Sequence, residues 1–201
     1  LTACPVAVTA VTNEKAFTGG LSEETDEELR QRILDSFRRL PNGANAAWYE
    51  MTACRHEGVA AAKAVGKARG TGTVDVYVSA PDGIPSKALL SELQIVFQKS
   101  REIAVNVQVK APTAETVNVA MTVKAAEGTD FSKVKAAVET ELAERFNGKL
   151  LGQGVKLAEL NSRIYALPGV ENCHITAPVV DLAANDKVLP VLGAVTVTEE
   201  A

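Results

Sequence analysis

TVDVYVSA, residues 73–80, is the stretch from which the fold of this chain is worked out. Its three valines, Val74, Val76 and Val78, fall at every second position, which is the side-chain period of a β-strand with one apolar face. A second apolar run, from Gly58 to about residue 65, precedes it, and the segment GKARGTG connects the two. We therefore predict a β-hairpin.

The connecting segment, residues 66–72, also invites a phosphate-binding interpretation, because it combines glycines with Lys67 and Arg69. The dinucleotide-binding fingerprint needs a third glycine three residues after the second, and a helix after the loop. Here Asp75 takes the place of that glycine and a strand follows. The order GxxxxGK of a P-loop is also missing from the segment. A hairpin connection is the better interpretation.

Amphipathic helices are predicted on both sides of the hairpin. The first covers residues 44–55, and its aromatic pair Trp48 and Tyr49 is typical of a helix anchored to a sheet. The second begins after its capping residue, Ser86. Helical spacing predicts its inner face as Leu89, Leu93, Val96 and Phe97. A strand over 103–110 then alternates valines with polar residues, so we expect this sheet to be open to water on one side.

An earlier helix begins at a capping box formed by Thr25 and Glu28 and stops at Pro41. Its acidic first turn matches the helix dipole, which explains the acidic residues without a cation site. Its predicted buried stripe consists of Leu29, Ile33, Phe37 and Leu40. Before it, residues 6–11 alternate as in a strand and lead to the flexible pair at 19–20, which indicates an N-terminal arm.

The second half of the chain shows a similar layout. In order, we predict a strand around 117–123, a helix over 130–146, a shorter helix around 157–167, a strand from 170 and a last strand over 193–198. Gly148 is interpreted as the glycine that ends the long helix. In both halves a Gly-Val pair, at 58–59 and at 169–170, opens a strand, which points to duplication of one unit.

The predicted fold class is α+β, with two small modules that each pack helices on one face of a mainly antiparallel sheet. We assign residues 1–20 to an N-terminal strand or arm, 21–111 to the first module and 112–201 to the second. The boundary between the modules is placed at Ala111-Pro112-Thr113. Because the chain begins at Leu1 rather than Met, we expect it to be a processed form or a piece of a longer chain.

Composition excludes several classes of function. With 46% hydrophobic and 23% charged residues, the chain has the composition of an ordinary globular protein rather than a disordered one. Its net charge of -4 argues against a protein that binds nucleic acid by neutralising phosphates. No apolar run approaches the length of about 18 residues that spans a bilayer, so no membrane partner is expected.

No catalytic, cofactor-binding or metal-binding residues are predicted. The three cysteines, Cys4, Cys54 and Cys173, lie far apart without CxxC spacing, and we interpret them as small buried hydrophobes in a reducing cytoplasm. The two histidines, His56 and His174, lie in separate halves, and neither has a carboxylate partner at a suggestive spacing. We therefore infer that the protein acts through contacts made by its surface rather than through a catalytic site.

The order of several short motifs resembles the baseplate J-like family, the assembly proteins of contractile phage tails and related injection machines. These motifs are Gly19-Gly20, Glu24 to Arg30 with Ile33-Leu34, Tyr49-Glu50, Gly58-Val59, Gly72 to Val78, Asp82 to Pro85, Leu151-Gly152 with Val155, Leu160 with Ile164, and Pro168 to Val170. They extend over nearly all of the chain from residue 19 onward. One departure is Glu102, where the family pattern leads us to expect proline.

This resemblance implies a structural role as a baseplate wedge component that forms a ring around the central hub. It implies other wedge and tail proteins as partners, self-association in the assembled ring, and a location in the virion tail baseplate after assembly in the host cytoplasm. It supplies no catalytic residues, and no cofactor or metal. Two alternatives stay open, a small-molecule-binding regulatory module of the ferredoxin-like kind and, less favoured, an enzyme using His56 or His174.

Overall fold

The computed structural model describes residues 24–38 and 45–200 of the chain. The elements in this part are α1 (Asp26–Arg38), α2 (Ala46–Cys54), β1 (Ala61–Gly66), β2 (Thr73–Ser79), α3 (Lys87–Ser100), β3 (Asn106–Lys110), β4 (Thr113–Ala125), α4 (Phe131–Arg145), a short 3₁₀ helix (Gly148–Leu150), α5 (Leu157–Tyr165), β5 (Val170–Ala177) and β6 (Val188–Glu199). The chain divides into two units, residues 1–39 and 40–201, so that α1 belongs to one and the other elements to the second. The predicted arm at 1–20 and the helix stop at Pro41 lie outside the described residues.

The first sheet has the strand order β1-β2-β3. The predicted hairpin is confirmed, since β1 and β2 pair antiparallel with Ala62 opposite Val78. Strand β3 returns after α3 to pair parallel with β2. One face of the sheet packs under α2 and α3 in a core that contains Tyr49, Val76 and Phe97. The rings of Tyr49 and Phe97 lie 5.7 Å apart, as expected if aromatic residues anchor the helices to the sheet.

The second sheet has the order β5-β4-β6, with the long strand β4 in the centre. Strand β5 pairs antiparallel with β4, and β6 pairs parallel with it. The inner face of β4 packs against α4 and α5 in the larger of the two cores, which includes Val119, Met121, Val138 and Ile164. On the opposite face Thr116, Asn118 and Lys124 are exposed.

The α+β class and the two modules are confirmed, and the sheets are mixed rather than mainly antiparallel. Each combines one antiparallel and one parallel pair. The connectivity nevertheless differs. The strand after Gly58-Val59 forms a hairpin with the central strand that follows it, whereas the strand after Gly169-Val170 pairs back onto the earlier strand β4. The predicted duplication therefore does not hold for the order in which the strands pair. A similar spacing of motifs does not determine which strands pair with each other. The predicted module boundaries stay predictions.

The predicted stripe on α1 is not buried. Leu29 is 37% exposed and Ile33 is 46% exposed, while the side chain of Phe37 and the whole of Leu40 lie outside the described residues. An apolar stripe on an otherwise charged helix is buried only if another surface covers it, and periodicity does not supply that surface. The predicted inner face of α3 is wrong only at Val96. This residue is 37% exposed, whereas Leu93 on the same helix is fully buried.

Gly148 has a different role from the predicted one. The helix α4 ends at Arg145, its C-cap residue Phe146 has a negative φ, and Gly148 is not among the residues with positive φ. A Cβ atom at Gly148 would instead overlap the carbonyl oxygen of Ala80, at the end of β2. The Ser79 hydroxyl donates a hydrogen bond of 2.6 Å to the Gly148 carbonyl oxygen from the other side of this junction. Glycine is needed here because the two modules approach each other backbone to backbone.

Candidate functional site

A buried charged cluster lies on the second face of the first sheet. The side chain of Asp75, in the central strand, is only 2% exposed, and it accepts a bond of 2.7 Å from Nε of Arg69 and one of 2.6 Å from Nζ of Lys110. Arg69 comes from the hairpin loop and also donates to the carbonyl oxygen of Asn106. These bonds fasten the loop to strands β2 and β3.

Electrostatics explains why the Asp75 carboxyl tolerates burial. Burial alone acts to raise the pKa of Asp75, but the hydrogen bonds and positive charges of Lys110 and Arg69 outweigh it, so the pKa is lowered. The carboxyl is therefore ionised and paired. The Arg69 guanidinium is engaged with Asp75 and Asn106, which gives the loop a structural role in place of a phosphate-binding one.

The expectation that this sheet is open to water on one side is wrong for its central strand. Ser79 is fully buried and Tyr77 packs against the core of the second module. Exposed polar residues on this face remain on the edge strand β3, at Asn106 and Gln108. The alternation of apolar and polar residues correctly predicts a strand, but it does not show that the polar face meets water. A polar face can be buried if its polar groups are paired within the protein.

The two histidines are not brought into a common site. His56 follows α2, and its Nε2 lies 3.9 Å from Oε2 of Glu92, a carboxylate that sequence spacing did not indicate. His174 lies in β5, as predicted, with an exposed side chain. Within the described residues, no group of three or more His, Cys, Asp or Glu side chains could hold a metal ion.

The prediction that the cysteines are buried is confirmed for Cys173 and wrong for Cys54. Cys173 is buried, and burial raises the pKa of its thiol, which disfavours the reactive thiolate. Cys54 is exposed, because it lies at the last position of α2, where the chain turns away from the sheet. Cys4 lies outside the described residues.

Glu102, the residue at the departure from the family pattern, accepts a hydrogen bond from the Tyr49 hydroxyl. Burial, followed by this bond and the negative charge of Glu102, raises the pKa of Tyr49. Because Tyr49 is in α2 and Glu102 follows α3, the bond joins the two helices that cover the first sheet. Its role is structural.

An open groove of about 540 Å³ lies between α5 and the edge strand β5. Eight residues line it: Leu157, Ala158 and Asn161 from the helix, His174, Ile175 and Thr176 from the strand, and Pro178 and Val179 from the loop that follows. We call this feature the α5–β5 groove. None of its lining residues is Asp, Glu, Lys or Arg. The position could not be predicted from the sequence, since it depends on which strand of the second sheet forms the edge.

Large apolar side chains are exposed near the groove and elsewhere. Val179 is 82% exposed and its neighbour Val180 is 70% exposed. In the first module Ile103 is fully exposed, and Ile95 on α3 is 56% exposed. Exposed apolar groups of this size are typical of protein contact surfaces when they cluster. Across residues 24–38 and 45–200, no helix combines the length and the apolar character needed to cross a membrane.

Comparison with known proteins assigns both modules to one family. The Baseplate J-like central domain matches residues 41–149, and the Baseplate J-like protein C-terminal domain matches residues 117–198. In a search of solved structures, the fold is similar to a chain in the cryo-EM structure of the anti-feeding prophage (AFP) baseplate, 6-fold symmetrised, with a TM-score of 0.58 and 10% sequence identity. The aligned region covers 87% of this chain and 43% of that one. A comparison with curated proteins gave no significant match.

These matches define a two-module protein of baseplate type. The chain belongs to the baseplate J-like family and is a structural component of a baseplate. The family resemblance inferred from the sequence is thus confirmed. The family indicates a non-enzymatic role, and the comparisons give no support to a small-molecule-binding regulatory module.

Proposed function

We propose that this chain is a wedge component of the baseplate of a contractile phage or prophage tail, and that it helps to form the ring around the central hub through protein–protein contacts. Its partners in this proposal are other wedge and tail proteins, together with further copies of the chain. It acts without catalysis, cofactor, nucleic acid or membrane. It is assembled in the host cytoplasm and ends in the virion tail baseplate.

The observation that carries this proposal is the pair of domain matches, which together extend from residue 41 to residue 198. The similar solved structure is a baseplate described as 6-fold symmetrised, which supports a ring as the setting for this fold. The exposed apolar residues Val179 and Val180 beside an uncharged groove add a surface suited to a protein partner.

A non-enzymatic role is part of the proposal because the two histidines lie in different modules and form no common site. His56 lies near Glu92 in the first module, whereas His174 lines the α5–β5 groove in the second, so only His56→Ala tests catalysis separately from assembly. We expect His56→Ala to assemble like the native chain, and the double variant that adds His174→Ala serves to test for an enzymatic activity. An enzymatic activity that disappears in this variant would contradict the proposal.

The direct experiment is co-purification. The tagged full chain is expressed together with the products of the adjacent tail genes, and the proteins retained with it are identified by mass spectrometry. The proposal predicts retention of baseplate or tail proteins in a defined stoichiometry. Adjacent genes of a metabolic operon, or a chain recovered alone after expression with authentic tail proteins, would contradict it.

A further inference from the structure

The outer edge of β5 offers an incomplete sheet. Among the described strands, β5 pairs only with β4, on its inner side. The backbone N–H of Cys173 in this strand donates a hydrogen bond to the side-chain oxygen of the preceding residue, Asn172. An edge strand presents unpaired N–H and C=O groups, which are a template for an additional strand.

The α5–β5 groove gives this edge a side-chain pocket. Helix α5 forms the opposite wall through Leu157 and Ala158, and Val179 extends the apolar surface beyond the strand. A groove between an edge strand and a helix is the geometry in which an extended peptide is bound by backbone hydrogen bonds, while alternate side chains enter the pocket. Because no Asp, Glu, Lys or Arg lines the groove, whose one titratable lining residue is His174, it favours an uncharged, apolar strand.

One segment of the chain itself has this chemistry. Residues 5–12, PVAVTAVT, contain no charged residue, and valines recur at positions 6, 8 and 11. β-branched residues at alternating positions are typical of strands. The first charged residue of the chain is Glu14. A linker from 13 to 23 then separates the segment from the first described residue, and eleven extended residues span up to about 36 Å.

We propose that the α5–β5 groove binds residues 5–12 of a second copy of this chain as an added β-strand. A donor segment on one copy and a different acceptor site on the next make a heterologous contact, and a closed ring of identical subunits is built from contacts of this kind. The inference rests on the proposed function, because the ring is what requires such a contact between copies.

The test is disulfide trapping between two full-length variants, both with Cys4→Ser and Cys54→Ser. The donor carries Val8→Cys and a distinct tag, and the acceptor carries Thr176→Cys in the groove. A matched acceptor carries Thr196→Cys, because Thr196 is likewise an exposed threonine but lies on β6, the opposite edge of the same sheet. After brief oxidation we expect about 10-fold more donor–acceptor dimer with Thr176→Cys than with Thr196→Cys, since binding raises the local thiol concentration.

A second pair of variants tests the groove itself. Adding Val179→Asp to the Thr176→Cys acceptor places a charge in the uncharged groove and is expected to reduce trapping to the level of the Thr196→Cys control. Val180→Asp is the matched control, since Val180 is similarly exposed but does not line the groove, and it is expected to leave trapping unchanged. Both positions are exposed, so both variants are expected to fold.

Two results would overturn the inference. One is equal trapping with Thr176→Cys and Thr196→Cys. The other is a disulfide that forms only within one chain carrying both Val8→Cys and Thr176→Cys, which would mean that the segment occupies its own groove. If trapping fails while the native chain still co-purifies with tail proteins, only this inference is lost. If trapping succeeds without co-purification, the proposed function is lost.

Discussion

The two sheets combine the same types of strand pairing but differ in what covers their polar faces. In the first sheet the polar face of β2 is covered, with Asp75 paired to two cations and Ser79 bonded to Gly148 of the second module. In the second sheet the polar face of β4 stays exposed, and β5 borders an open groove. The first sheet therefore uses its polar residues for internal structure, while the second leaves surface available for partners.

Gly148→Ala should have the largest effect, because it breaks the junction that covers the first sheet. The new Cβ would overlap the Ala80 carbonyl oxygen, and backbone cannot move aside as a flexible side chain can. We expect a loss of about 3 kcal/mol in the free energy of unfolding, measured by denaturant titration. Gly66→Ala is the matched control, since nothing lies within 4 Å of its Cβ position. A similar, small loss in both variants would show that the junction is not closely packed.

Asp75→Asn should come next, because it removes the charge that pairs with Arg69 and Lys110. We expect a loss of about 2 kcal/mol, less than for a fully buried pair because both cations are partly exposed. Glu171→Gln in the second module is the control, since the Lys124–Glu171 pair is about half exposed, and it should be nearly neutral. Equal losses would remove the distinction between the two sheets.

The contribution of Asp75 should also depend on pH. Its folded-state pKa is lowered, so its stabilisation is complete above the unfolded pKa of about 3.9 and is lost as pH falls through the folded-state value. The difference in unfolding free energy between the native chain and Asp75→Asn should therefore be constant near pH 7 and shrink below about pH 4. Urea titrations at several pH values measure it, and a difference that grows on acidification would contradict the assignment.

Ser79→Ala should have a smaller effect. It leaves the carbonyl oxygen of Gly148 without its 2.6 Å hydrogen bond at a buried junction, which we expect to cost about 1–2 kcal/mol in a thermal or chemical unfolding experiment. Ser91→Ala removes an exposed hydroxyl that bonds only within its own helix, and should be nearly neutral. If the two substitutions cost the same, the Ser79 bond does not hold the modules together.

The smallest effect on stability is expected for Val179→Asp. Its side chain is 82% exposed, so the free energy of unfolding should change by less than about 0.5 kcal/mol. Self-association, measured as co-purification of two differently tagged copies of the chain, should nevertheless weaken, because the charge disrupts the α5–β5 groove. Val180→Asp should change neither quantity. A large loss of stability in Val179→Asp would mean that the groove is part of the core rather than a contact surface.

Helices and strands were predicted well where the sequence pattern that indicates them lies within the helix or strand itself. The cap at Ser86 and the valine alternation of β2 are examples, since capping and period depend on neighbouring residues. Strand β6 was predicted from 193 but begins at Val188, because Pro190 argues against a strand and is tolerated here at the sheet edge.

The rest depends on contacts between distant residues. The burial of Asp75 requires Lys110, 35 positions away, and the need for glycine at 148 comes from Ala80. Nor does spacing reveal that β5 pairs with β4 and leaves its other side as an edge. The α5–β5 groove was therefore missed, whereas the family could be recognised from the order of short motifs.

The central claim is that partners bind the second module while the first sheet is already covered. Hydrogen–deuterium exchange of the full chain, alone and in the complex that co-purifies with tail proteins, tests it most directly. The account predicts that complex formation slows exchange at β5 and the loop through Val180, and leaves β2 unchanged because its amides are protected in the free chain. New protection confined to β2, with β5 exchanging as in the free chain, would contradict it.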